Sequence, residues 1–285
     1  MFLKSISLTL AVALGLSAGV ASAEVETEIT DFAFPFEGPF GSYDTNQLQR
    51  GLQIFTKVCS DCHGINRVAF RTLAEEGGPA LPEDQMRAYA EAIEVFDPAL
   101  LDGAGDYRPA TPADYFPAGA MREAPDLSLM AKARAGFRGP YGTGLSQLIN
   151  GMGGAEYIAS LLSGYEDPPA CAPADFTGSY NKAFANGGFP ETCINEEGEH
   201  TVPGSWIAMP QPLVGDDTSF LDEHSTELES EAQDVAAFLM WAAEPHLVAR
   251  KQAGLTGVIF LVLLTALLYL TNKRLWAPHK HPNDA

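Results

Sequence analysis

Leu48, Leu52, Phe55 and Cys59 recur at the three- and four-residue spacing that lines one face of a helix. Asp44, with Gln47 three positions later, gives a capping-box-like start, so a helix is predicted from Asp44 up to Cys59. A second helix should open at Pro82, with Glu83 and Asp84 near the positive end of its dipole, and end near Asp97 and Pro98. Residues 73–79 between them read as a loop. Residues 98–125 are broken by prolines and glycines and predict irregular structure. Asp126 should cap a short helix to Arg134, ended by Gly136. Residues 139–154 are glycine-rich, with room for one helical turn around 146–150, and 155–163 should be helical up to Gly164. A long irregular stretch follows over 165–217, of a kind kept in compact domains for function. The helix predicted over 225–243 has Leu228, Ala232, Val235 and Leu239 as its apolar face, and Pro245 breaks it. The pattern is mainly α, with long irregular loops and no internal repeat.

Two apolar runs stand apart from these amphipathic segments. Residues 252–272 carry no charge and would form a helix of roughly 31 Å, the thickness of a bilayer core. Arg250 and Lys251 flank it on one side and Lys273 and Arg274 on the other, with Tyr269 and Trp276 where interfacial aromatics sit. At the other end, Lys4, an apolar core over 6–16 and Ala21-Ser22-Ala23 form a secretory signal peptide. The chain therefore divides into a cleaved signal peptide (1–23), an exported domain (24–250), a transmembrane anchor (251–272) and a cytoplasmic tail (273–285). Lys273, Arg274 and Lys280 agree with a cytoplasmic tail, although Arg250 and Lys251 weaken the contrast. In a bacterium the exported domain would lie in the periplasm, anchored to the inner membrane by one pass.

The formal charge is −20. That excludes nucleic acid as a natural partner and favours basic proteins, which such a surface attracts at a distance.

The exported domain holds Cys59-Ser60-Asp61-Cys62-His63, the C-x-x-C-H signature of c-type haem attachment. Two thiols at this spacing can add to the two vinyl groups of one porphyrin, and the adjacent imidazole then becomes an axial ligand. A zinc site would need a second ligand pair, and Cys171 and Cys193 lack that spacing. A thioredoxin-like site would need a strand before the motif, where the pattern is helical. His63 is then the fifth ligand of one covalent haem c, and the sixth comes from elsewhere. Met86, Met130 and Met240 sit among apolar neighbours on predicted helices, where methionine fills gaps. His200, His224 and His246 are further candidates. Met209 lies in Ser205-Trp206-Ile207-Ala208-Met209-Pro210-Gln211-Pro212, a proline-stiffened stretch suited to holding a weakly binding thioether, and is favoured ahead of Met121 and Met152. Met/His ligation raises the reduction potential. The remaining cysteines, Cys171 and Cys193, read as a disulfide in an oxidising compartment, worth roughly 3 kcal/mol and able to brace the segment leading to Met209. Arg134, Arg67 and Arg71 are candidates for a haem propionate.

Together these residues make the chain similar to the cytochrome c1 family, the haem subunits of quinol–cytochrome c reductase (cytochrome bc1) complexes. The resemblance is carried by 43–71 around the haem motif, Tyr107-Arg108-Pro109 with Asp114-Tyr115-Phe116-Pro117, Ala124-Pro125-Asp126-Leu127-Ser128 with Ala133-Arg134, Trp206 to Pro212, and the anchor end at Tyr269-Leu270 and Lys273-Arg274. The glycine-rich insertion and the extra cysteine pair resemble alphaproteobacterial members. The resemblance implies a c-type cytochrome domain with a C-terminal transmembrane helix. It implies Cys59 and Cys62 at the vinyls, His63 and Met209 as axial ligands, Arg134 at a propionate, and Pro125 and Tyr157 lining the haem. It also implies one-electron transfer from a Rieske iron–sulfur protein to a cytochrome c, in a dimeric complex with cytochrome b. Such a subunit makes no bond to substrate. Two other classes remain at this point: a free membrane-anchored shuttle, and an open-iron haem enzyme or gas sensor.

Overall fold

The structure is a computed structural model that describes residues 25–135, 151 and 153–280. The signal segment, Gly136, the turn expected around 146–150 and Met152 lie outside the described residues. The chain divides into two compact units, one of Ile29–Gly164 with Gln211–Ala285, the other of Tyr165–Pro210 with the stretch up to Glu28.

The larger unit is built on helices. Helix α1 (Thr45–Ile54) is capped by Asp44, whose Oδ1 accepts from the N–H groups of Asn46 at 2.9 Å and Gln47 at 3.3 Å. The reciprocal half of a capping box is not made, since Gln47 Oε1 is buried without a partner. The backbone then widens into one π-helical turn over Phe55–Cys59, with Ser60 N–H donating to the Phe55 carbonyl at 2.9 Å. This wider turn carries the helix into the cysteine motif.

The second helix, α2 (Glu83–Glu91), stops six residues short of the expected end. Residues Glu94–Asp97 form strand β1 instead, paired antiparallel with β2 (Asp106–Pro109) inside the supposedly irregular stretch. Val95 and Phe96 favour a pleated surface, the rings of Phe96 and Tyr107 meet across the pair at 5.6 Å, and Arg108 bridges Asp97 and Asp114 at 2.8 Å each. Part of the loop expected over 73–79 is likewise a 3₁₀ turn, Phe70–Ala74.

Helix α3 is only Met130–Ala133, because Asp126 is used elsewhere. Its Oδ1 accepts from Ser128 N–H and its Oδ2 from Asn66 N–H, both at 2.9 Å, an Asx turn in place of a helix cap. Helix α4 (Gly154–Ser163) packs on α3 and on α5 (Leu228–Ala243), which also lies against α1. Helix α5 is therefore buried on nearly all sides from Glu231 to Ala243, not along the single face its spacing suggested. Glu244 is extended ahead of Pro245, and α6 (Leu247–Lys280) follows. Its stretch Leu247–Ala277 is long and apolar enough to cross a bilayer, and although Leu247 is rooted in the core, the most apolar part of the helix is not buried inside the protein.

The smaller unit was expected to be irregular. It contains two three-residue strands, β3 (Ser179–Asn181) and β4 (Ser205–Ile207), paired antiparallel with Tyr180 opposite Trp206. Strands this short leave no period to read. Tyr180, Trp206 and Cys193 are buried together, with Phe176 and Phe189 edge-on to the indole. A disulfide joins Cys171 to Cys193, with the two Cα atoms 5.1 Å apart.

Candidate functional site

The α1 helix and its π turn end in the cysteine motif. Cys62 and His63 N–H groups both donate to the Cys59 carbonyl, at 3.1 and 2.8 Å, so the motif is a tight turn that sets two thiols and an imidazole close together. Cys59 and Cys62 are free and only partly covered. Burial, reinforced by the neighbouring Cys62 thiol, pushes the Cys59 thiol up to about 12. A disulfide-exchange cysteine needs the opposite, a thiolate near neutral pH. Among the described residues no three His, Cys, Asp or Glu side chains gather as a metal cluster.

The chain beyond the motif is fastened to a second segment. Leu127 N–H donates to the Gly64 carbonyl at 2.8 Å, and Arg67 N–H to the buried Ser128 Oγ at 3.1 Å. Further along, Phe116 N–H donates to the Val68 carbonyl at 3.0 Å. Gly119 packs against the Cys62 carbonyl and the Gly64 N–H so closely that any side chain there would collide with this backbone. The 125–128 segment thereby reaches His63, whose Nδ1 lies 2.7 Å from the Pro125 carbonyl. A carbonyl can only accept, so Nδ1 carries the proton and Nε2 keeps its lone pair for a metal. A hydrogen bond of this kind fixes the ring's tautomer and orientation in metal-ligating histidines. Half-exposed Met121 and Leu129 stand on the same two segments, apolar surface of the sort a porphyrin covers. The residues thus fit a c-type haem: two available thiols, an oriented imidazole and apolar flanks.

Arg134 ends α3 and Tyr157 is buried on α4. Gly154 allows these helices to touch, because a side chain there would strike the Ala131 carbonyl. The Arg134 guanidinium then lies 5.8 Å from the centre of the Tyr157 ring, a cation–π contact that orients it. Arg67 and Arg71 are exposed. Of the other methionines, Met86 and Met240 are core residues and Met121 is half exposed.

Met209 belongs to the smaller unit. Two residues before it, β4 ends, held on one side by β3 and on the other by Gly188, which exchanges hydrogen bonds with Trp206 at 3.1 and 3.0 Å. Ser205 Oγ donates to the Phe184 carbonyl at 2.6 Å and accepts from Gly187 N–H at 2.9 Å. Tyr165 OH donates to the Met209 carbonyl at 3.2 Å. Sequence reasoning missed Tyr165 and Ser128 as holders of these segments. The Asp126-x-Ser128 spacing was a signal for the second, read instead as a helix cap.

The family described as Cytochrome C1 matches residues 34–279. The chain belongs to the cytochrome c1 family. Cytochrome c1 of Cereibacter sphaeroides is 55% identical over 280 residues, 96% of each chain. Cytochrome c1 of Rhodobacter capsulatus is 48% identical over 281 residues, 98% of this chain and 99% of that one. A Bradyrhizobium diazoefficiens protein named cytochrome b/c1 is 37% identical over 262 residues, 85% of this chain and 34% of that one. As a cytochrome c1 of alphaproteobacterial type, the chain is the haem-carrying electron-transfer subunit of a cytochrome bc1 complex, with one covalently bound c-type haem.

Proposed function

We propose that Cys59 and Cys62 form the thioether links to the haem, that His63 Nε2 and Met209 Sδ are its axial ligands, and that the subunit passes single electrons from the Rieske protein to a cytochrome c. The observation that carries this reading is the His63 Nδ1–Pro125 carbonyl bond beside two free thiols. When bound, the haem supplies a reversible one-electron couple. The protein's own residues set its surroundings. His63 is held in one tautomer by Pro125. Arg134, steadied on Tyr157, offers its guanidinium to a propionate, while Tyr157 and Pro125 line the porphyrin. Tyr165 and the β3–β4 pair hold the Met209 backbone.

The acidic surface suits a basic cytochrome c as acceptor, with association that weakens as salt rises. The subunit is non-catalytic by itself and works beside cytochrome b and the Rieske protein in a dimeric assembly. A relative whose name joins cytochrome b to c1 supports the first of these partners. Residues 1–23 are a cleaved signal, 24–250 a periplasmic haem domain, 251–272 the single inner-membrane pass and 273–285 a cytoplasmic tail.

The test is the near-infrared charge-transfer band of Met-ligated ferric haem, measured in the purified complex. Wild type should show it and resist carbon monoxide when reduced. Met209→Leu should lose the band, bind carbon monoxide and have a lower midpoint potential. A band that survives the substitution would move the sixth ligand to another residue.

A further inference from the structure

The N-terminal stretch holds four phenylalanines, and three are core residues: Phe32, Phe34 and Phe36 are 8%, 4% and 6% exposed, whereas Phe40 is 79% exposed. An isolated exposed apolar side chain needs no explanation in general. Phe40 is distinguished by where its turn is fastened. Lys251 Nζ donates to the Phe36 carbonyl at 2.6 Å, and Tyr43 OH reaches the Met240 and Glu244 carbonyls, both at 3.2 Å, beside the α5–α6 junction. One side of the turn is therefore tied to the first turns of α6 and the other to the end of α5 just before it. Lys251 is the last charged residue before the uncharged run 252–272, so its ammonium marks the level at which the apolar layer begins.

We propose that the turn 37–41 is a lipid-contacting foot, with the Phe40 ring inserted into the headgroup layer of the bilayer that α6 crosses. The proposal rests on the reading of α6 as the membrane span. Phe40 is four residues from the carbonyl held by Lys251, at most about 14 Å along an extended chain. It is nearer than that, because the segment doubles back through Glu37 N–H to Phe34 carbonyl and Ser42 N–H to Pro35 carbonyl bonds of 3.1 and 3.0 Å. The headgroup layer is about 5–7 Å thick on each side, within reach of the ring. The chemistry of the tip agrees. Gly38-Pro39-Phe40-Gly41-Ser42 carries no charge in a chain of net charge −20; of the carboxylates on either side, Glu37 pairs inward with Glu156 and Asp44 is engaged in capping α1. An aromatic side chain at the uncharged tip of a turn beside a span is suited to the interface.

A spin label at Phe40→Cys, in the purified complex reconstituted into phosphatidylcholine nanodiscs, tests this. A label at exposed Glu76→Cys serves as the reference, and signal from unsubstituted complex labelled in parallel is subtracted. Collisional relaxation by oxygen, relative to that by a water-soluble nickel chelate, should be several-fold greater at position 40 than at 76. Equal ratios at the two positions would place the turn in water and overturn the proposal. Shielding from both reagents would mean that a neighbouring subunit covers it, and would also overturn it. Phe40→Trp keeps an aromatic ring, and its added fluorescence should be quenched by brominated lipid. Co-purification with cytochrome b and an unaltered haem spectrum check the parent reading separately, so failure of the relaxation and quenching arms alone strikes only the lipid contact.

Discussion

The helix that delivers the haem motif is pinned to α5 by one buried ion pair, and removing it should loosen the whole arrangement. Arg50 on α1 meets Asp234 on α5 through Nε at 2.6 Å and Nη2 at 3.1 Å, while its Nη1 reaches Asp222 at 2.7 Å. The side chains of Arg50 and Asp234 are 11% and 1% exposed, against 42% for Asp222. Asp234→Ala strips two of three charge-assisted bonds from a guanidinium that cannot shed its charge, and breaking a buried pair from one side costs about 3–5 kcal/mol. Asp222 still faces the cation, which puts the expected loss near ~3 kcal/mol, or roughly 6–12 °C in apparent Tm for a domain of this size. Asp222→Ala, at the exposed end, should cost under ~1 kcal/mol. Arg50→Met leaves the Asp234 carboxyl buried without its guanidinium, with His224 Nε2 still 3.8 Å away. Burial already raises the pKa of that carboxyl, so this variant should recover part of its loss as pH falls and the group takes up a proton. The double variant Arg50→Met/Asp234→Leu should regain most of the stability, because apolar packing often replaces a buried pair at little cost. The assay is unfolding of the detergent-solubilised complex at fixed scan rate and salt, followed through the haem absorbance. If Asp234→Ala fell within ~1 kcal/mol of wild type, or if Asp222→Ala matched it, the pair would not hold α1 and the reasoning would fail.

Two further outcomes follow from groups away from this pair. Burial, then the shared bond with Glu156, pushes Glu37 up to about 8, and Glu156 is raised as well. The folded state thus holds a proton that the unfolded chain releases near its ordinary carboxylate value. Its stabilising contribution is full in acid and is lost as pH rises through about 8. Glu37→Gln should accordingly match wild type near pH 4–5, gain on it as pH rises from there to about 8, and hold a level advantage above that, on the order of 1–2 kcal/mol once partial solvent screening is allowed for; a difference that stayed constant from pH 4 to 9 would refute the proton-sharing account. Cys171→Ala removes the cross-link beneath Trp206 in the unit that bears Met209, and should lower thermal stability by roughly 3 kcal/mol and shift the haem potential downward, so an unchanged midpoint potential would show that the disulfide does not brace the ligand segment.

Much of the site was legible because its chemistry is contiguous. The C-x-x-C-H pentapeptide needs no tertiary context to announce two thiols and an imidazole, and the rising helical pattern of Leu48, Leu52 and Phe55 already pointed the chain into it. The uncharged run after Lys251 was equally plain. Failures came where a side chain's partner is distant. The α2 helix was overextended because the pull of Val95 and Phe96 toward a strand depends on Tyr107 and Arg108 across the hairpin. Asp126 was read as a cap because an Asx turn and an N-cap share one local signal, and the Asn66 N–H that decides between them is 60 residues away. The amphipathic reading of α5 failed because spacing reveals one apolar face but not how many neighbours surround it.

The sequence by itself determined the haem-attachment motif, the membrane span and the stretch that contains Met209, since each is written in consecutive residues whose types are sufficient. Tertiary structure alone decided which imidazole nitrogen is available, through the Pro125 carbonyl, and which ring steadies Arg134. It alone set Phe40, of the four phenylalanines in the stretch 32–40, outside the core. These are outcomes of long-range packing and backbone hydrogen bonding, and no local pattern encodes the identity of a partner that only folding brings near.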